Sequence, residues 1–541
     1  MLPTRPRRLF RRACTLAAAA VLVAACGRGE DAGRPGVSAV AAVDPALVTT
    51  TSGVLRGALA ADYRFFGGIP YAAAPIGDHR FAPPAPAGSW SGVRESGEPG
   101  ARCMQDPQGD LEMGRNSSED CLSLNVWTPT TKPTDARRPV MVWIHGGAFI
   151  NGSAGIYHAR RLVTRGDIIV VTVNYRLGAL GFLAHPALVN GLDVGNYGLA
   201  DQQAALRWVH DNIAAFGGDP GKVTIAGESA GGMSVCDHLV APGSAGLFQG
   251  AIIQSAPCQA QVTLAEGQRA ALDYARDVGC GGPVDPAGCL RALPADRLRN
   301  PVWHYRIGDD SLSGPVTGTA GLSVDPIRAF AAGSAARVPV LIGTTHDEFT
   351  LFVALQYVRS GKRFGAAAYP HLLASTFGPN ADAVARHYPL DRYRGKAASA
   401  YAAAVTDGVF SCVGDSIAGA LAADAPVYAY EFDDPAPPTP DPLRRLPFPL
   451  GASHSLELRY TFDMGGAPAM TPAQAALSNQ MIDYWASFVR DGKPTAVDGP
   501  PWPQFSVGAG EQRMSLRPDG SRVIADFDTA HQCRFWQSLK P

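Results

Sequence analysis

The chain is predicted to fold as α/β: one large, mostly parallel central sheet flanked by helices. Three observations predict it. Short β-branched runs alternate with longer Ala/Leu-rich stretches along most of the length, which is the pattern of strands and crossover helices rather than of a sandwich or a bundle. One such run, Val223-Thr224-Ile225-Ala226, leads through a glycine-flanked turn straight into a helical stretch from Ala230. The composition, 46% hydrophobic and 18% charged over 541 residues, is that of a globular protein with a large core. Length alone suggests roughly three or four domains, but large α/β sheets grow as one unit and no internal repeat divides this chain.

The elements follow in order. Residues 1–25 read as an export signal: Arg5, Arg7, Arg8, Arg11 and Arg12 precede an almost wholly apolar run from Ala13 to Ala25. That run is shorter than the roughly 20 residues of a membrane span. Val23-Ala24-Ala25-Cys26 resembles a bacterial lipobox, in which the cysteine carries lipid and becomes the mature N-terminus. Arg7-Arg8-Leu9-Phe10 also fits a twin-arginine signal, so the export route stays open. Residues 26–47 are Gly, Ala and polar without periodicity and read as a flexible tether between lipid and domain. The expected place is the periplasm or cell surface, with the membrane held by the lipid alone.

The folded pattern runs from 48 to 541. Its clearest strands are Val140 to Ile144, Ile168 to Val173, Val223 to Ala226, Ala251 to Gln254 and Val338 to Ile342. Gly198 to Ala215 and Ala230 to Val240 read as helices, and the proline-rich stretch Asp433 to Pro449 as extended loop.

Removing the five signal arginines from the 47 Lys and Arg leaves 42 against 48 Asp and Glu, a balance of −6. No basic stripe remains to neutralise phosphates, which argues against nucleic acid as a partner. Ten cysteines less Cys14 in the signal and Cys26 leave eight, an even number in a compartment where disulfides persist. No cofactor is implied. Zinc chemistry has no sequence support either, since H-E-x-x-H is absent and His454-Ser455-Leu456-Glu457 lacks a second histidine.

Gly227-Glu228-Ser229-Ala230-Gly231 fits G-x-S-x-G, a common match in a chain with 60 glycines. Its setting gives it meaning: strand, sharp turn, helix is what lifts a serine hydroxyl above a sheet. A serine is a weak nucleophile until a base takes its proton, and the base needs a carboxylate to fix its tautomer. On this plan both partners lie downstream, acid before histidine. Asp347 and Glu348, just past the strand Val338 to Ile342, compete for the first role. His371, His387, His454 and His531 compete for the second, and His454 in the small-residue loop Gly451-Ala452-Ser453-His454 is best placed to reach across. His145-Gly146-Gly147-Ala148-Phe149, after the strand Val140 to Ile144, offers backbone N–H groups for an oxyanion.

These residues together resemble the type-B carboxylesterase and cholinesterase family of α/β-hydrolases, among them bacterial para-nitrobenzyl-esterase-like carboxylesterases. The similarity runs from about Val48 to Trp536. Phe216-Gly217-Gly218-Asp219-Pro220 through Gly231 fits the family's serine signature. Glu119-Asp120-Cys121-Leu122-Ser123-Leu124-Asn125-Val126-Trp127 fits its second signature, with Ser123 in place of the usual aromatic or threonine. Gly68-Ile69-Pro70-Tyr71-Ala72, Asn174-Tyr175-Arg176-Leu177-Gly178 and Cys533-Arg534-Phe535-Trp536 agree as well.

The resemblance implies an α/β-hydrolase domain that cleaves carboxylic esters, with Ser229 as nucleophile, Glu348 as acid and His454 as base; small uncharged esters are expected, because the loop from Met104 to Asp120 lacks the tryptophan with which cholinesterases hold a quaternary ammonium. It places the oxyanion donors on the N–H groups of Gly147, Ala148 and Ala230, and sets Ser255 and Glu228 behind the triad in support. It pairs Cys103 with Cys121, Cys280 with Cys289 and Cys412 with Cys533. Cys236, two turns into the helix after Ser229, and Cys258, just past the next strand, remain for a fourth bridge. Two residues depart from the family pattern: Phe349 and Ser455 stand where glycine is usual, and both are expected to reshape the pocket rim. Two other readings share these residues: an amide or carbamate hydrolase with the same triad, and a non-catalytic binding or adhesion protein of the same fold, which typically lacks a triad member.

Overall fold

A computed structural model describes residues 44–539 except 107–115, 131–136, 189–193, 308–309, 442 and 509–510. The expected export signal, the lipidated Cys26 and nearly all of the tether lie outside the described residues. Backbone pairing begins at Ala46, whose carbonyl accepts from Gly57 N–H, and the first strand at Leu47, the last residue assigned to the tether.

Among the described residues one sheet carries thirteen strands. They are β1 Leu47–Thr50, β2 Gly53–Leu59, β3 Tyr63–Pro70, β4 Val93–Ser96, β5 Ser123–Pro129, β6 Arg138–Ile144, β7 Ile169–Val173, β8 Gly218–Glu228, β9 Gly250–Gln254, β10 Val340–Thr345, β11 Val427–Phe432, β12 Arg513–Leu516 and β13 Arg522–Ile524. The order across the sheet is β1-β2-β3-β5-β7-β6-β8-β9-β10-β11-β12-β13, and β4 pairs with β2. From β7 to β12 every neighbouring pair is parallel, whereas β1, β2, β3 and β5 at one edge and β13 at the other run antiparallel to their neighbours on this path.

Parallel neighbours need crossovers, and these supply the helices. Helix α1 Tyr197–Asn212 joins β7 to β8, α2 Ala230–Val240 joins β8 to β9, and α6 Pro472–Asp491 lies between β11 and β12. Helices α3 Thr350–Ser360, α4 Ala397–Val405 and α5 Cys412–Ala422 fall between β10 and β11. All of β6 is buried because both of its faces are covered. Val140, Val142 and Ile144 pack into one core with Leu206, Val209 and Met233, while Met141 and Trp143 pack into the other with Ile482, Tyr484 and Trp485. Burial on both faces is why these strands appear in the sequence as unbroken apolar runs without polar alternation.

The expected strands and helices are present with shifted ends. β10 starts two residues late because Pro339 has no N–H for the ladder, and it extends through Thr344 and Thr345. The helix expected to reach Ala215 tightens after Asn212 into a 3-10 turn over Ile213–Phe216. Between Asp433 and Pro449 the described residues form turns and extended chain. No described helix is long and apolar enough to cross a membrane.

Two of the sequence landmarks are buried ion pairs. Arg176 grips Asp201 on α1 at 2.7 Å, and Arg80 grips Glu119 with two hydrogen bonds of 2.6 and 2.7 Å. The bridges Cys103–Cys121, Cys236–Cys258, Cys280–Cys289 and Cys412–Cys533 are all formed.

The sheet order also fixes where a site can form. From β6 the chain steps to β7 on one side and later to β8 on the other, so the loops leaving β6 and β8 diverge and open a crevice at the strands' C-terminal ends. Ile144 and Gly227 are register partners. The run His145 to Phe149 and the serine turn therefore emerge side by side.

Candidate active site

Ser229 sits between β8 and α2 with φ 56° and ψ −127°, a left-handed backbone that is costly for a residue with a side chain. The packing around it holds that strain. Gly231 lies so close to the Ile144 carbonyl that a Cβ there would collide with it. Ser229 N–H donates to the Gln254 carbonyl on β9 at 2.9 Å, which pins the turn to the neighbouring strand. The residue remains partly exposed. Ala230 opens α2, so its N–H belongs to the first turn, where the helix itself offers no acceptor.

The loop after β6 wraps against this turn. A Cβ on Gly146 would lie 2.7 Å from the Glu228 carbonyl oxygen and 3.0 Å from Ser229 Cβ. Gly147, Ala148 and Phe149 have φ of 109°, 55° and 59° in succession, and the Gly147 carbonyl accepts from Ile150 and Asn151 N–H. That curl exposes Gly147 and Ala148 in part while Phe149 is buried. His145 stacks on Tyr175 and donates from Nδ1 to the Gly146 carbonyl at 2.8 Å. Burial pulls its pKa down to about 4, so it braces the loop as a neutral ring.

Asp347 and Glu348 face different ways. Glu348 is fully buried and accepts from His454 Nδ1 at 2.6 Å and from Thr345 N–H at 2.8 Å. Asp347 is 39% exposed and instead holds the loop ahead of the histidine, accepting from Ala452 N–H at 3.0 Å. Of the four histidines, His371 and His387 are exposed, and His531 is buried among other carboxylates. Only His454 meets the serine turn: its Nε2 lies 3.1 Å from Glu228 Oε1, the carboxylate next to Ser229 in the chain. Burial opposes charge on this imidazole, but Glu228 and Glu348 outweigh it and push the pKa up to about 9.

The two supporting residues fare differently. Glu228 accepts from Ser455 Oγ at 2.5 Å as well as facing His454, and burial raises its carboxyl against the pull of the imidazole. Ser255 is buried beside β10, its N–H on the Gly343 carbonyl at 2.8 Å, but its hydroxyl has no hydrogen-bond partner. The expected support of the acid by the Ser255 hydroxyl is therefore corrected: Thr345 N–H does that work, because the turn after β10 folds the Glu348 carboxylate back onto its own strand end.

Both departures from the family pattern also find their places. Ser455 has φ 65°, the conformation for which glycine is usual, and its hydroxyl reaches Glu228. Phe349 is buried, with its ring on Phe352 and Tyr401 and its N–H on Thr406 Oγ1. Phe352 and Phe410 stand beside the His454 ring, with centroids at 5.1 and 5.6 Å. Glu457, one turn past His454, is fully buried and its carboxyl is pushed well above the usual range, first by burial and then by Glu228 and Glu348. Sequence reasoning missed Glu457, Phe352's contact and Thr345; only the i+3 spacing of His454 and Glu457 offered any signal.

Comparison with known proteins places the chain in a family. The profile of the carboxylesterase family matches residues 44–536. A para-nitrobenzyl esterase of Bacillus subtilis (strain 168) is 35% identical over 495 residues, 88% of this chain and 96% of that protein. A cocaine esterase of Homo sapiens is 32% identical over 572 residues, 99% and 97%. A pyrethroid hydrolase of Rattus norvegicus is 33% identical over 502 residues, 88% and 85%.

Proposed function

The chain belongs to the carboxylesterase family and is a carboxylesterase, and on that premise we propose that it hydrolyses small uncharged carboxylic esters with Ser229, His454 and Glu348 as its triad. The observation that carries the reading is the buried His454–Glu348 pair at 2.6 Å, with His454 Nε2 at 3.1 Å from Glu228, the residue before a serine held in a left-handed turn.

Ser229 Oγ attacks the ester carbonyl as His454 Nε2 takes its proton, and Glu348 stabilises the imidazolium through Nδ1. The tetrahedral oxyanion is met by the N–H groups of Gly147, Ala148 and Ala230; one such donor is typically worth about 3 to 4 kcal/mol. His454 then protonates the departing alkoxide, leaving an acyl-serine. Water gives its proton to His454 and attacks the acyl carbon, the acid departs, and Ser229 recovers its proton.

The loop between Cys103 and Cys121 has no aromatic residue, so it offers no face for a quaternary ammonium. A desolvated cation–π contact is worth about 2 kcal/mol, roughly 30-fold in kcat/KM. Neutral short- or medium-chain esters should therefore outpace choline esters. Phe352 is the nearest aromatic to His454, and acetylcholine turned over faster than a neutral acetate of similar size would show that it supplies the missing face and would refute the preference. Labelling by a fluorophosphonate probe, mapped to the Ser229 peptide, tests the nucleophile. We also read the enzyme as exported and lipid-anchored; Cys26→Ser should release it from membranes, and an unmodified mature N-terminus elsewhere would overturn that reading.

A further inference from the structure

A second histidine centre begins on the same loop as Glu348. His346 follows β10, Glu431 lies on β11, and His531 precedes the helix Cys533–Ser538. Three distant segments thus converge, and one donor atom from each lies within 4.8 Å of the others. His531 Nε2 is 2.6 Å from Glu431 Oε1, and its Nδ1 is 2.6 Å from Asp407 Oδ1. The His346 ring stands 5.4 Å from the His531 ring. None of the proposed ester chemistry uses these groups.

We propose that His346, Glu431 and His531 bind one divalent transition-metal ion, zinc best of all, with Asp407 orienting His531 from behind. The donor set is two imidazoles and one carboxylate, which suits borderline-soft zinc and poorly suits calcium or magnesium, whose sites are built from oxygens. A metal-binding histidine characteristically gives its other ring nitrogen to a carboxylate, and Asp407 already holds Nδ1 in that way.

Charge favours a cation there. Glu431 and Asp407 are joined by Asp433 and Asp347, while of the arginines nearby Arg517 is spent on Asp433 and Arg513 on Asp415. Ligand atoms around zinc stand roughly 3.3 Å apart at bond lengths of about 2.0 to 2.1 Å. Zinc binding must therefore displace the proton that His531 Nε2 shares with Glu431 into solvent and part those two atoms from 2.6 Å, while His346 closes in, which it is free to do: its side chain is 43% exposed and its Asp347 partner is 3.4 Å away. The same exposure gives the ion its entry path, and a water completes the four-coordinate shell.

The test uses full-length protein without a histidine tag, stripped by chelator and titrated with zinc chloride by calorimetry. Cobalt chloride reports the ligands through its visible absorption. The wild type should take up one ion per chain, gain thermal stability with added zinc, and show the bands of a tetrahedral nitrogen–oxygen site with cobalt. His346→Ala, at a half-exposed position that leaves the buried pairs intact, should weaken zinc at least tenfold and abolish the stabilisation. Asp407→Asn should weaken it about 10- to 100-fold. Absence of saturable uptake by the wild type would overturn the proposal, as would zinc affinity unchanged in His346→Ala, which would put the ion on another surface group.

Discussion

His454 and His531 are two buried histidines in nearly the same company. Each has two carboxylates on its ring nitrogens: His454 has Glu348 and Glu228, and His531 has Asp407 and Glu431. In each, burial disfavours the charge and the carboxylates restore it, pushing the pKa up to about 9 for His454 and about 10 for His531. What separates them is the neighbourhood. His454 meets Glu228, the residue before a strained serine turn, whereas His531 is closed in by Phe527 and the half-exposed His346. A buried histidine between carboxylates is thus not by itself a base; on the proposed function, the serine turn beside it is what makes His454 one.

The largest way to test that contrast is Ser229→Ala, which leaves both histidine centres intact. It should lower kcat by about 10^5-fold or more, since triad members act as a unit and only oxyanion and binding effects survive. Near-normal turnover with an unchanged circular dichroism spectrum would end the assignment.

Carboxylate exchanges come next. Glu348→Gln should cost about 10^3- to 10^4-fold in kcat/KM because His454 loses both tautomer control and the charge that stabilises its imidazolium. Asp347→Asn should stay within about tenfold by the same comparison. Asp407→Asn should do the reverse of Glu348→Gln: turnover within about tenfold, but stability reduced by about 3 kcal/mol in urea unfolding as a buried charged pair is broken. If Asp407→Asn were as inactive as Glu348→Gln, the two centres would not be functionally distinct.

Much of this was legible in the chain. The parallel centre of the sheet appears because strands covered on both faces must be apolar throughout, and Ser229 because a left-handed turn between strand and helix demands flanking glycines. Asp347 and Glu348 could not be separated by residue physics, since neighbours on one turn differ only in which way the backbone points them; the family resemblance selected Glu348. Ser255 was read as supporting the acid, yet its hydroxyl is unpaired, because a main-chain N–H that no sequence motif marks took its place. His346, Glu431 and His531 span nearly two hundred residues, and only the β10–β11 pairing and the C-terminal turn bring them together.

The histidines also oppose each other in pH. A base must be neutral, so kcat/KM should climb as pH rises toward about 9, where His454 sheds its proton. Stability runs the other way: both pKa values are raised above the ordinary 6.5, so their contribution is complete below pH 6.5 and is lost as pH rises through about 9 and 10. Glu228→Gln should move the activity limb toward acid, because one of the two carboxylates that favour the imidazolium is gone. Asp407→Asn should leave that limb in place and flatten only the alkaline loss of stability. Exchanged effects would reverse the roles of the two centres.

The smallest expected effect belongs to Ser455→Gly. Glycine adopts φ 65° without the strain a serine bears, so stability should hold or rise by up to about 1 kcal/mol. The lost hydroxyl, however, is a hydrogen-bond donor to the Glu228 carboxylate at 2.5 Å. Without it the charged form of Glu228 is less favoured, its hold on the His454 imidazolium weakens, and the His454 pKa falls. The activity limb should therefore move toward acid in the same direction as in Glu228→Gln, but by less, with kcat at high pH nearly unchanged. A shift toward alkali would show that Ser455 shields Glu228 rather than supporting its charge, and an unmoved limb would show that the bond does not reach the base at all.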